Sequence, residues 1–164
     1  MSIHRMFSEM YKHAIGDEQL LRLLFYVAEH RDDDVTIETD ARPNINGDFD
    51  VINSVVKLRK RKDGDFDGNR SNFLFIYPDV FKNDLTGSFN PALFHQFTNF
   101  DVYVHADNQH IGLTLTKILD RLVELYNNQR VWGNKPTYID STSVLDDEEG
   151  YSGVRITFRN SYTL

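Results

Sequence analysis

The spacing of apolar residues in the second half of this chain changes period twice, and that change limits the folds open to it. Over residues 96–106, Phe100, Val102 and Val104 alternate with Asp101, Tyr103 and His105, the two-residue repeat of a strand with one face on a core. Over residues 111–126 the apolar positions Ile111, Leu115, Ile118, Leu119, Leu122, Leu125 and Tyr126 recur at three and four, with Lys117, Asp120, Arg121 and Glu124 opposite. This predicts an amphipathic helix, with Asp107 or Asn108 placed to cap it. After Gly133 and Pro136 the period returns to two, in residues 137–145 and in residues 151–162 with Val154, Ile156 and Phe158 inward. The two runs read as a closing hairpin around the turn 146–150.

The first half is less regular. Ile3, Met6, Phe7, Met10, Tyr11 and Ala14 form a helical stripe that stops at Gly16, and Asp17 is placed to cap a second helix carrying Leu20, Leu21, Leu23, Leu24 and Val27. Residues 31–49 are polar, contain Pro43 and Gly47, and read as an extended loop. Residues 51–62 read as a strand, with Val56 and Leu58 inward and Lys57, Arg59 and Arg61 outward. Asp63-Gly64-Asp65 supplies a turn, and residues 70–77 follow as a strand too apolar to have a solvent face. These two strands are expected to pair as a hairpin. Residues 79–91 read as a second excursion, anchored by Phe81, Phe89 and Phe94. The sum is one α+β domain over residues 1–164: an antiparallel or mixed β-sheet covered on one face by helices, with two long loop excursions.

Chemistry is harder to find. The chain has no cysteine, which excludes disulfides, thiolate metal sites and a cysteine nucleophile. Glycine-rich phosphate loops and a serine elbow between glycines are both missing. His105, Asp107 and His110 could together hold a divalent metal, but Asp107 is already useful as a cap, and the expectation is no metal, no cofactor and no catalytic residue. The formal charge of −7 disfavours general adhesion to nucleic acid. Charge is segregated: Asp32–Asp34 and Asp146, Asp147, Glu148 and Glu149 are acid clusters, and Lys57, Arg59, Lys60, Arg61 and Lys62 form one basic block. Segregation of this kind suits an interface. With no secretory signal pattern at the start and no long apolar run, the chain is expected in a cytoplasm rather than a membrane.

The run Asn99-Phe100-Asp101-Val102-Tyr103-Val104-His105, the polar break, the helix up to Tyr126 and the closing Gly153-Val154-Arg155-Ile156-Thr157-Phe158 resemble the tail-terminator and neck (head-tail joining) proteins of tailed bacteriophages. The opening Asp17-Glu18-Gln19-Leu20-Leu21-Arg22-Leu23-Leu24-Phe25-Tyr26 is similar to the start of small structural proteins coded near the head-tail genes of phages of Gram-positive bacteria. The resemblance implies a non-enzymatic virion subunit that assembles in the host cytoplasm. It would form a ring, commonly a hexamer, cap the tail tube protein and dock to the head connector or head-closure protein, with DNA passing through unbound. Subunit contacts would use Lys57, Arg59 and Arg61 with Phe81, Phe89 and Phe94, and the acids Asp146, Asp147, Glu148 and Glu149 would face the channel. A head-closure or minor tail protein is the nearest alternative. A metal-dependent nuclease or hydrolase, or a cytoplasmic adaptor, is the alternative from another class.

Overall fold

The computed structural model describes residues 3–26, 42–66, 71–79, 93–109, 114–131, 136–145 and 150–163. Two helices open it, α1 (Ile3–Ile15) and α2 (Glu18–Phe25), followed by α3 (Phe49–Val55), β1 (Val56–Lys57), β2 (Phe73–Pro78) and β3 (Leu93–His105). A one-turn α4 (Ala106–Gln109), the long α5 (Thr114–Tyr126), β4 (Thr137–Leu145) and β5 (Tyr151–Thr163) complete the order. The strands form one mixed sheet in the order β1-β2-β3-β5-β4, an α+β fold as the sequence predicts.

Strands β3 and β5 are each 13 residues long and pair antiparallel from Leu93↔Thr163 to His105↔Tyr151. Alternation along them sends Phe100, Val102, Val104, Ile156 and Phe158 to one face, where α1, α2 and α5 complete a core with Leu74 and Ile76 of β2. The apolar stripe of α5 delivers Ile118, Leu122 and Tyr126 to that core with no residual exposure, so its amphipathicity is satisfied by the sheet. The Tyr126 hydroxyl donates to the Met10 carbonyl of α1 at 2.6 Å, which gives the one polar atom of that ring a partner. Val154 is half-buried.

Asp17 caps α2 by accepting from Leu20 N–H at 2.8 Å, and the same carboxylate receives Arg121 of α5 at 2.6 Å. One cap residue therefore also fixes how two helices lie together.

Several expectations are overturned. Residues 49–55 are helix rather than strand. Asp48 caps them by accepting from Val51 N–H at 3.2 Å, and the buried positions are Ile52 and Val55, a spacing of three that β-branched residues accept when packing rewards it. Only Val56 and Lys57 remain extended. They pair parallel to β2, through Val56↔Leu74 and Lys57↔Phe75, so no hairpin joins them, and Leu58 is exposed rather than inward. Residues 42–48 are not loose either. Arg22, itself buried, donates to the Arg42 carbonyl and to Asn44 Oδ1 at 2.9 and 2.6 Å, while Glu18 accepts from Ile45 and Asn46 N–H. An i,i+4 pair on α2 thus holds a distant segment that has no period of its own. Asp107 lies within α4 rather than capping α5.

Leu122→Asp should bury an unpaired carboxylate between α5 and the sheet and destabilise by about 4 kcal/mol or more. Thr116→Asp, on the exposed side of the same helix, should stay within about 0.5 kcal/mol of wild type. Chemical denaturation of both variants checks the placement of the helix.

Candidate functional site

The face of the sheet away from the core helices carries the chain's densest chemistry. Because β2 alternates, Phe73, Phe75 and Tyr77 point there while Leu74 and Ile76 point to the core, and Tyr103, Tyr151 and Phe66 join them in a second buried cluster. Phe66 stacks on Tyr151 with centroids 4.2 Å apart. Gly153 lies opposite Tyr103, and a Cβ there would stand 2.8 Å from the tyrosine ring; the glycine makes room for Tyr103 to lie across β5.

Over these rings runs the basic segment. The Arg61 guanidinium sits 5.1 Å from the Phe66 centroid and 5.8 Å from that of Tyr103, Arg59 lies 6.0 Å from Phe75, and Lys60 Nζ lies 5.3 Å from Tyr77. These are cation–π distances. The segment is held in place by Asp65, which takes both terminal nitrogens of Arg59 at 2.8 and 2.6 Å and Lys62 N–H at 2.6 Å. The turn that brings Asp65 back uses Gly64 at φ 85°, where glycine carries no steric penalty. The hydrogen bonds from Arg59 lower the Asp65 pKa, against a smaller opposing effect of burial.

A second clamp lies beneath. Asp101 and Arg155 are register partners on β3 and β5; the buried carboxylate accepts from Arg155 Nε at 2.7 Å and from its second nitrogen at 2.9 Å, and the Tyr77 hydroxyl donates to it at 2.7 Å. Burial first, and then the bond to Asp101, hold the Tyr77 hydroxyl well above its ordinary pKa. Burial followed by the Asp101 charge pushes Tyr103 up to about 12. Each acid here is matched by a cation or a protonated hydroxyl, so the arrangement fixes geometry. The exposed cations of the segment are Lys60 and Lys62.

Lys57, Arg59 and Arg61, expected to face outward from a strand, are thus placed differently. Lys57 is half-buried on β1 and donates to the Asn53 carbonyl, and Arg59 and Arg61 fold back over the rings. The aromatics are covered, so they offer no stacking platform for bases. Phe94 lies on β3 opposite Tyr162, while Phe81, Phe89, His110 and Asp146, Asp147, Glu148 and Glu149 lie outside the described residues. At the end of β3, Asp107 N–H donates to His105 Nδ1 at 3.2 Å, and Asp107 Oδ2 is 3.5 Å from the same nitrogen. Among the described residues, no three or more His, Asp or Glu side chains are grouped to hold a metal, and no helix is long and apolar enough to cross a membrane.

Fold and surface define an α+β protein with a sheet covered by helices on one face and by a clamped basic segment on the other. The YomW family model matches residues 17–160, and the chain belongs to that family. The family is of the Bacillus phage SPBc2-like prophage type, which makes this a phage-related protein. The match begins at Asp17, the cap of α2, and ends at Asn160 within β5, so it takes in β1 to β4 and most of β5. No curated protein matches the chain.

Two outcomes test the clamps. Arg155→Ala should cost about 2 kcal/mol by leaving the buried Asp101 with Tyr77 alone. Tyr77, Tyr103 and Tyr126 all have raised folded-state values. Their contribution to stability is therefore complete below the ordinary tyrosine value of 10.0 and declines as pH rises from there towards about 12, where Tyr103 titrates in the folded protein. Melting temperature measured against pH should fall across that window, and less steeply in Tyr103→Phe.

Proposed function

We propose that this protein is a non-enzymatic structural subunit of a phage particle: a tail terminator or related neck protein that forms a ring at the end of the tail tube. The observation that carries the reading is the clamped basic segment of a phage-family chain. Asp65 and the aromatic cluster hold Lys60 and Lys62 at the surface of an otherwise acidic molecule, which suits docking to an acidic protein surface. Individual exposed pairs of this kind contribute only about 0.2–1 kcal/mol, so they set register and apolar contacts must supply the rest. The net charge of −7 fits a subunit through which DNA would pass, because like charge keeps the duplex from adhering. The acids Asp146 to Glu149 are the candidates for such a wall. A head-closure or minor tail protein would use the same surface at a neighbouring position.

Purified particles should contain the protein at a fixed low copy number, measured by quantitative mass spectrometry against the major tail protein. Its presence in the lysate and absence from particles would contradict the assignment. Lys60→Glu with Lys62→Glu should leave the melting temperature close to that of wild type and reduce incorporation at least tenfold. Arg59→Glu would be a poorer probe, since it also breaks the pair with Asp65.

A further inference from the structure

The chain contains a single asparagine followed by glycine, Asn46-Gly47, and the fold places that pair at an exposed turn. The Ile45 carbonyl accepts from Asp48 N–H at 2.9 Å. Gly47 has φ 93° and Asn46 lies outside the positive-φ region, which defines a type II turn with the pair at its centre. Both residues are exposed, and a Cβ on Gly47 would meet nothing within 4 Å, so water reaches the pair from outside. Among the described residues no acceptor takes the Gly47 N–H, and Asn46 Nδ2 reaches the Gly16 carbonyl only at 3.4 Å. The two asparagines followed by serine are placed differently. Asn53 precedes Ser54 inside α3, and Asn160 precedes Ser161 inside β5 and is fully buried.

We propose that Asn46 is a site of spontaneous modification, converting through a cyclic imide to aspartate and isoaspartate, and that the conversion loosens the hold of α2 on residues 42–48. In the first step the Gly47 nitrogen attacks Asn46 Cγ. The Cγ–N bond forms, the Cγ–Nδ2 bond breaks, and Nδ2 leaves as ammonia with the proton lost by Gly47. Water then adds to one of the two imide carbonyls. Opening at Cγ gives aspartate; opening at the main-chain carbonyl leaves the chain running through Cγ, one methylene longer. No electrons are exchanged. Glycine suits the attacking position because it has no Cβ to hinder the approach. Either product adds a carboxylate where Glu18 already stands. Glu18 Oε2 accepts Asn46 N–H at 2.7 Å, and the same side chain receives Ile45 N–H and Arg22 Nε. Two carboxylates in one place disfavour each other. The added methylene of the isoaspartyl product falls between the buried Ile45 and Asp48, the cap of α3, so the core contact and the cap cannot both keep their positions. Because α3 leads directly into β1, the loosening passes to the edge of the sheet. This inference does not depend on the ring reading above.

The full-length chain, incubated at mildly alkaline pH, should gain about 1 Da, the difference between an amide and a carboxyl group. Peptide fragmentation should place the change at Asn46, and enzymatic methylation should detect the isoaspartyl form. The rate should rise with pH, because the attacking nitrogen must lose its proton. It should lie within about tenfold of the rate in a free peptide of residues 42–50, since an exposed turn opens readily. Asn46→Gln keeps the amide but needs a six-membered ring, and should slow the gain by about tenfold or more while melting as wild type does. Ion exchange separates the products by their added charge. In the isoaspartyl fraction, hydrogen exchange over residues 51–57 should be about tenfold faster than in the unmodified chain. A folded chain that keeps its amide while the peptide converts would overturn the site. An isoaspartyl fraction with unchanged exchange over those residues would overturn its coupling to α3 and β1.

Discussion

The full-length pairing of β3 with β5 positions every other part of this protein. Thirteen residues on each strand share one register, and alternation along that ladder divides the molecule into two unlike faces. One receives Phe100, Val102, Ile156 and Phe158 and is closed by α1, α2 and α5. The other receives Asp101, Tyr103 and Arg155 and is closed by Phe66 and the basic segment. A slip of β5 by one residue would exchange its two sets, placing Arg155 under the helices and Ile156 on the opposite face. The Asp101–Arg155 pair therefore helps specify register as well as stabilising the sheet. Each large apolar side chain of the core face contributes about 1.5–3 kcal/mol by leaving water, which outweighs any exposed ion pair and explains why the ladder dominates.

Much of this was legible where one period ran long enough to be read. β4, β5, α1 and the apolar stripe of α5 follow from alternation or three-and-four spacing, as does the burial of both faces of β2. The reading failed where tertiary contacts override local preference. Residues 49–55 contain Val51, Ile52 and Val55 and resemble a strand, yet a single cap by Asp48 and the burial of two side chains make a helix. Residues 42–46 have no pattern at all, because what holds them is Glu18 and Arg22 on α2, twenty or more positions away. The β3 pattern was read as having one buried face. Both faces are covered, and the partner of Asp101 is a register neighbour 54 positions on.

The candidate surface shows the same division. The basic block is evident in the sequence, and its use at an interface is a fair reading of segregated charge. The sequence does not show that Arg59 is consumed by Asp65, six positions on, or that Arg61 lies over Phe66 and Tyr103. Composition alone makes all five cations equivalent; in the fold Arg59 and Arg61 brace the segment, Lys57 donates to the Asn53 carbonyl, and Lys60 and Lys62 are the exposed residues. Asp63-Gly64-Asp65 was a recoverable signal, since a turn of that chemistry returns an acid towards the bases that precede it.

The account comes down to a phage-family fold whose sheet is closed by helices on one face and by a clamped basic segment on the other, and whose proposed role is to assemble as a ring. Its most direct test is the mass of the intact wild-type chain in solution, by multi-angle light scattering over a wide concentration range at low and high salt. The account predicts that the mass rises from 19.1 kDa to a plateau at one whole-number multiple above two, and that raised salt moves the transition to higher concentration. A mass that stays at one copy, stops at two, or grows without limit would contradict it.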